Sequence, residues 1–555
     1  MAEAPAPRTW KQSFALYVER RSVVMLGLGF ASGLPFWLIF DTLSAWLRTV
    51  GLSLNVIAFF SLATLAYAFK FLWAPLVDRA QIPGLTAWLG HRRSWMLVTQ
   101  LAIMTGLVLI AVTDPLVSLP LVATFAVFTG FMGATQDIVM DAWRIEVAEQ
   151  SEQGVMLASY QWGHRIAYIT AGAAPLFLAD IFDWSISYFA MAALMVVGLI
   201  AVLCGPREQA HVVRPIPRVA GASNPWAERV EWAVRLAILV AGALILGSGL
   251  SAQVSLIASW LPSDLSQALT AAWAQRPLGV FLQLIAVVIG FAFIIACAWP
   301  LPGKPTQPGY FLSHVFGEPL RDFFTRFGRQ AVLILVVICF YRISEFLLNI
   351  MNPFYLDVGF TLSQIAEVRK IYGVFLSLIG IFAGGWAVAR FGVARALVIG
   401  AVIAPLSNLA FAWLATQGPQ VHALIITLGI NNICQSFAGT CLLAYMSSLT
   451  SVGFTASQYA LFSSLYALPD KFIATQSGRI ADAAAHSAAD GGLMAPLKVF
   501  FTDLAPNALA AGAARSGIPA DALGAGYFAF FVYTCVLGLV VIPLAVLVAR
   551  RGPKA

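Results

Sequence analysis

Apolar runs of about 20 residues, the length a helix needs to cross a hydrocarbon core, alternate along this chain with short polar breaks. Marking the runs against the breaks predicts about fourteen membrane spans. The first six run near 22 to 47, 54 to 77, 93 to 113, 116 to 147, 155 to 181 and 183 to 204. Two more lie between about 230 and 300; the last six run near 330 to 356, 362 to 389, 394 to 416, 420 to 450, 455 to 482 and 524 to 549. The flanking sixes are numbered here as spans one to six and seven to twelve, and the middle two are termed the accessory pair. Short alternating segments of the kind that build a barrel are too few, so the class is an all-α polytopic membrane protein. The predicted organisation is a six-helix half over 1–204, Pro- and Arg-rich linkers with the accessory pair over 205–329, and a second half over 330–555. From about 483 to 523 the pattern reads as a loop rich in Ala, Gly and Asp, with a short surface helix at KVFFTDL.

Composition agrees with this pattern: 60% of residues are hydrophobic and 11% charged, and the mean hydropathy is +0.83. The net charge of +7 comes from loops. Basic residues gather at the N-terminus (Arg8, Lys11, Arg20, Arg21), from Arg79 to Arg93, at Arg207, Arg214 and Arg218, at Arg321, Arg326 and Arg329, and in the tail Arg550, Arg551, Lys554. The intervening loops carry mainly Arg48, Arg276, Lys498 and Arg515. Basic loops stay inside, so both termini are expected in the cytoplasm, and the charge needs no nucleic-acid partner. The first apolar run is too long for a signal sequence and lacks a clear cleavage site, so it reads as a retained span. Six cysteines lie in or beside apolar runs without CxxC spacing; they read as buried thiols, and the scattered histidines offer no metal site.

An internal repeat sharpens the architecture. VGLSLNVI at 50–57 matches VGFTLSQI at 358–365, each between a first and a second span. The second span of each copy then ends in a basic turn, DRAQIPGLTAWLGHRR at 78–93 and GGWAVARFGVAR at 384–395. Two parallel six-helix repeats about an axis normal to the membrane produce this arrangement.

Charge inside a span is the informative signal, because each such residue costs about 2.5–3.5 kcal/mol at a helix centre. GATQDIVMDAWRIEV, at 133–147 on span four, places Asp137, Asp141 and Arg144 on one helical face. Left in lipid, three charges would cost roughly 8–10 kcal/mol, so this face points into the bundle. Gln136 and Asp137, nearer mid-membrane, read as cavity-lining. Asp141, Arg144 and Glu146, with Asp78, Arg79, Arg92 and Arg93, read as a charge cluster that holds one conformational state. Lys70 on span two, and His164 and Arg165 within YQWGHR on span five, are candidate partners; Tyr160 and Gln161 of the same stretch are candidate substrate contacts. Span one carries Trp37 and Asp41, and the repeat places Asn349 of span seven at the position equivalent to Asp41. Span seven adds Tyr341, Arg342 and Glu345, with an Arg-Glu pair one turn apart. Spans ten and eleven add Asn432, Gln435 and Lys471. Gly29 and Gly33 form GxxxG, which predicts close helix packing rather than phosphate binding.

These stretches together resemble the AmpG-type muropeptide permeases, a branch of the major facilitator superfamily. The resemblance rests on GFASGLPFWLIFDTLSAWLR (29–48), FKFLWAPLVDR (69–79), GHRRSWMLVTQ (90–100), ATQDIVMDAWR (134–144), GEPLRDFFTR (317–326) and FTASQYALFSSL (454–465). It implies a secondary transporter, driven by the proton gradient without a cofactor, which works as a monomer in the bacterial inner membrane. It imports anhydro-muropeptides, an N-acetylglucosamine–anhydro-N-acetylmuramic acid disaccharide with or without peptide, by alternating access. Lys70, Ala134, Gln136, Asp137 and Asp141 stand where the family motifs have the same residues. Gln, Asn, Tyr and Trp suit sugar hydroxyls, acetamides and ring faces, and Lys70, Arg165, Arg342 or Lys471 suits a substrate carboxylate. Asp137, then Glu345 and Asp41, are the candidate proton carriers. The alternatives are a related carrier of acetyl-CoA or another anionic solute, which would want a denser basic cavity, and a membrane-embedded acyl- or glycosyltransferase, for which no clustered catalytic pair is present.

Overall fold

Helices supply all the regular structure of the computed structural model, which describes residues 10–51, 65–208, 225–251, 254–275, 278–299, 306–346, 350–473, 477–502 and 508–551. Among the described residues ten helices are long and apolar enough to cross a membrane. They are spans one (Arg20–Thr49), three (His91–Val112), four (Leu119–Val147), six (Trp184–Cys204), the accessory pair (Pro225–Gly249 and Leu278–Ala298), and spans eight (Gly373–Phe391), nine (Val393–Gln417), ten (Val421–Ser448) and twelve (Ala520–Arg550).

The other four expected spans have identifiable reasons for falling outside that set. Span five, Gln153–Ile181, is 29 residues long but polar along one face. Span seven is described as the helices Gln330–Phe340, Ile343–Phe346 and Met351–Val358, each too short on its own to cross a membrane. Span eleven, Thr455–Ile473, is followed by a separate helix, Ser477–Ala489. Span two is described only from Leu65 onward.

The chain divides into two compact units, one of 1–70, 81–211 and 329–555, the other of 71–80 and 212–328. In the second, the accessory helices meet through glycines: a Cβ on Gly290 would lie 2.6 Å from the Leu246 backbone nitrogen, and one on Gly249 2.7 Å from the Gln283 carbonyl oxygen. Buried Arg235 pairs with Glu231 at 2.8 Å and donates to the Cys297 and Trp299 carbonyls, which closes the C-terminal end of the second accessory helix. A further helix, Gln307–Phe327, follows.

In the first unit, spans one and five cross backbone to backbone. A Cβ on Gly29 would come within 2.1 Å of the Tyr160 carbonyl oxygen, and one on Gly163 within 2.0 Å of the Leu26 carbonyl oxygen. Only glycine permits this approach. The two six-helix halves meet where span five lies along span eight. A Cβ on Gly385 would be 2.6 Å from the Gly154 carbonyl oxygen; nearby, Tyr17 donates to the Phe382 carbonyl at 2.8 Å and Trp162 to that of Leu378 at 3.1 Å. This contact begins at the end of the halves that bears the basic turns.

The segment expected to be a loop from 483 to 523 is largely helical. Ser477–Ala489, Ala495–Phe501 and Ala510–Ser516 bury Ala481, Ala485, Phe501 and Leu509 against Met351, Phe354 and Tyr355 of span seven and Phe530 of span twelve. Small residues that read as loop composition here allow close helix contact. Asp357, at the end of span seven, accepts from Arg515 and from Tyr527, both at 2.6 Å. The cysteines are all free; Cys297, Cys441 and Cys535 are buried, but Cys204 is exposed and Cys339 and Cys434 are half-buried, so burial holds for only part of the expected set.

Gly29→Val should strain the crossing of spans one and five at a cost of about 1–3 kcal/mol, read as a lower unfolding temperature of the purified protein in detergent. Gly172→Val on span five, where a Cβ meets nothing within 4 Å, should leave that temperature nearly unchanged.

Candidate functional site

The crossing at Gly29 sets the register of everything C-terminal to it on span one. Ser32 lies one turn on, and its hydroxyl is 2.5 Å from Asp137 Oδ1 and 2.7 Å from the Tyr160 hydroxyl. Tyr160 is itself 3.4 Å from the same carboxylate oxygen. Spans one, four and five thus meet at one half-buried acid, with Tyr160 donating to Ser32 and Ser32 to Asp137. One helical turn further along span four, Asp141 lies between two cations, Lys70 Nζ at 3.8 Å and Arg144 at 3.4 Å. Arg144 is fully buried; it also donates to Gln153 Oε1 at 3.2 Å and lies over the Tyr459 ring of span eleven at 5.2 Å. The inward face deduced from residue spacing on span four is therefore real.

Several of the seven residues expected to form one charge cluster are ion-paired. Arg92 is paired with Glu146 at 2.7 Å, both well buried. Arg93 donates to the Val202 and Leu203 carbonyls at the end of span six. Arg79 pairs with Glu318 at 2.8 Å on the helix Gln307–Phe327, a partner that span-by-span reading did not supply. Asp78 is buried. Lys70 is engaged by Asp141 at 3.8 Å.

On span one, Phe36, Trp37 and Phe40 are half-buried and build an aromatic box with Tyr67 of span two and His164 and Tyr168 of span five. Trp37 lies 4.5 Å from Tyr168, and Phe36 lies 5.1 Å from Tyr67 and 6.1 Å from His164, ring centre to ring centre. A π turn at Leu38–Thr42 follows directly; such turns recur at functional sites. Across span five, Gln161 donates to Thr440 of span ten at 3.0 Å, and Arg165 stands within electrostatic reach of Arg342 and Glu345. Arg342 is ion-paired with Glu345 and hydrogen-bonded to the Tyr466 hydroxyl of span eleven. Tyr341, by contrast, is buried and donates to the Leu397 carbonyl, so its place is in helix packing. Asn432 donates back to the Leu428 carbonyl of its own helix at 2.7 Å, and Gln435 to the Ala404 carbonyl at 3.3 Å. Asn349 and the side chains of Asp41 and Lys471 lie outside the described residues.

The chain is similar to proteins of known family. The model of the Major Facilitator Superfamily matches residues 25–298. A Rickettsia felis protein called AmpG 4 is 28% identical over 468 residues, 84% of this chain and 91% of that protein. The anhydromuropeptide permease of Escherichia coli (strain K12) is 27% identical over 475 residues, 85% of this chain and 76% of that protein. A solved structure of the proton:xylose symporter XylE matches in fold, with a TM-score of 0.50 at 12% identity, over 95% of this chain and 96% of that one.

The family match thus covers 25–298, and the relatives similar over most of this chain are transporters of the AmpG type. The buried polar atoms that lack a partner among the described residues include Trp37 Nε1, Tyr67 Oη, Gln136 Oε1, Arg342 Nε, Gln435 Oε1 and Ser464 Oγ. Such groups are costly to bury unsatisfied, and they come from spans one, two, four, seven, ten and eleven, that is, from both halves. Ser32 and Tyr67 were not among the sequence candidates. Ser32 had a visible signal, since it sits inside the GxxxG stretch, on a helix that must approach another closely.

Arg92→Met should leave Glu146 unpaired in a buried place and destabilise the folded protein by about 3–5 kcal/mol, seen as a loss of monodisperse protein on heating. Adding Glu146→Gln to that variant should restore most of the stability; an additive further loss would show that the pair does not act as one.

Proposed function

We propose that this chain is a proton-coupled importer of anhydro-muropeptides, carrying the disaccharide, with or without peptide, from periplasm to cytoplasm by alternating access. The observation that carries the reading is the half-buried Asp137 carboxylate, held by Ser32 and Tyr160 one turn from the Lys70–Asp141–Arg144 group. With both carboxylates ionised, Lys70 and Arg144 balance Asp137 and Asp141, and the group is neutral. Protonation of Asp137 leaves one positive charge uncompensated in a low-dielectric interior, and its field favours the entry of an anionic substrate into the neighbouring cavity. Loading a proton and loading a carboxylate therefore favour each other, which is what symport requires.

The relatives support the substrate class: the Escherichia coli protein similar over most of this chain is an anhydromuropeptide permease. The partnerless polar atoms of both halves suit a ligand with many hydroxyls and acetamides. By the bias of basic residues, both termini and the closed contact between spans five and eight lie on the cytoplasmic side, so this conformation is the one that would receive substrate from the periplasm. The inner membrane is the site that this direction of transport demands.

In proteoliposomes the wild type should accumulate labelled anhydro-muropeptide only under an inward proton gradient. Asp137→Asn should abolish gradient-driven accumulation, a drop of at least about tenfold, while substrate exchange without a gradient persists. Undiminished accumulation by Asp137→Asn would remove Asp137 from the coupling role; no uptake by the wild type would remove the transport reading itself.

A further inference from the structure

Span five presents two unlike faces to the substrate region. Ile166 and Ile169 are exposed on its outer side, 41% and 46%, whereas Gln161, His164, Arg165 and Tyr168 are half-buried on the other. Of this inner strip, His164 and Tyr168 belong to the aromatic box around Trp37. Arg165, one turn before Tyr168, belongs electrostatically to Arg342 and Glu345. An aromatic wall and a basic pole thus sit side by side, joined by one helix.

The basic pole has charge to spare. Arg165 has no hydrogen-bond or ion-pair partner among the described residues, while Arg342 already holds Glu345 and Tyr466 and keeps a buried Nε without a partner. Two guanidinium groups against one carboxylate leave one positive charge, and a planar fork of N–H donors matches a carboxylate in geometry as well as sign. A lone cation within a span is costly unless something pairs with it. Lys70 and Arg144, basic groups of the same half, are already paired with Asp141. The aromatic wall has the opposite character: Phe36, Trp37, Phe40, Tyr67 and Tyr168 offer ring faces, and Trp37 Nε1 and Tyr67 Oη are buried donors without a partner. Ring faces plus isolated donors fit a pyranose with hydroxyl and acetamide groups, and nothing in the wall itself is a formal counter-charge.

We propose that the substrate lies in one orientation, its sugar rings against the Trp37 wall of the N-terminal half and its peptide carboxylates on the Arg165–Arg342 pole between the halves. This rests on the muropeptide reading above and adds to it: Trp37 determines recognition of the sugar, and Arg165 determines recognition of the peptide. Since Arg165 belongs to one half and Arg342 to the other, the peptide carboxylate also bridges the two bodies that must move.

The test uses two labelled probes in proteoliposomes under an inward proton gradient: the disaccharide-tripeptide, and the same molecule with its peptide carboxylates converted to carboxamides. The wild type should prefer the free carboxylates by about tenfold, the worth of one charge-assisted contact. Arg165→Gln removes an unpaired charge, so folding should be intact; it should bring the preference close to one. Arg165→Lys, which keeps the charge but loses the fork, should restore part of it. Trp37→Leu should lower uptake of both probes while keeping the preference. The orientation is overturned if Arg165→Gln retains the full preference, if Trp37→Leu abolishes it, or if the wild type transports both probes equally well. In that last case muropeptide transport stands and the orientation alone fails, whereas uptake of neither probe would remove both.

Discussion

The crossing of span one over span five, at Gly29 and Gly163, is the contact on which the interior depends. It puts two backbones within reach of each other, where any side chain would clash with a carbonyl oxygen. Because a helix fixes the direction of each later side chain, this single contact decides the rest: Ser32 meets Tyr160, and Phe36 and Trp37 meet His164 and Tyr168. In a membrane, where lipid tails are as apolar as leucine, small residues at a crossing are a main means of bringing helices together. Asp137 on span four then finds two hydroxyls already aligned to receive it.

The second constraint is charge in hydrocarbon. Residue spacing on span four was enough to infer an inward face, because the cost of three charges facing lipid exceeds what any packing preference could offset. The structure bears this out with Arg144 fully buried and Asp141 held between two cations. The local Arg342–Glu345 pair was legible for the same reason, since the two are one helical turn apart.

Partners far apart in sequence were not legible. Glu318 as the partner of Arg79, Tyr459 beneath Arg144 and Tyr466 on Arg342 join residues more than a hundred positions apart, and no periodicity encodes which helix lies beside which. Composition misled at 483–523 because alanine and glycine serve equally in loops and in tightly packed helices; the deciding fact is that Ala481 and Ala485 are buried against span twelve and its neighbours.

Hydropathy itself carries a bias that this fold makes visible. The accessory helices are apolar because lipid is their solvent: only 22% and 28% of their most apolar windows are buried. Span five is long enough to cross a membrane yet falls outside the apolar set, because one of its faces is spent on Tyr160, Gln161, His164 and Arg165. A helix that lines a polar interior must give up part of its hydropathy to do so, and its neighbours supply the insertion energy it lacks. In a helical transporter the least convincing spans by hydropathy are thus where site residues concentrate, here spans five, seven and eleven, and the polar residues that weaken the membrane signal are the same ones that converge on Asp137, Arg165 and Arg342.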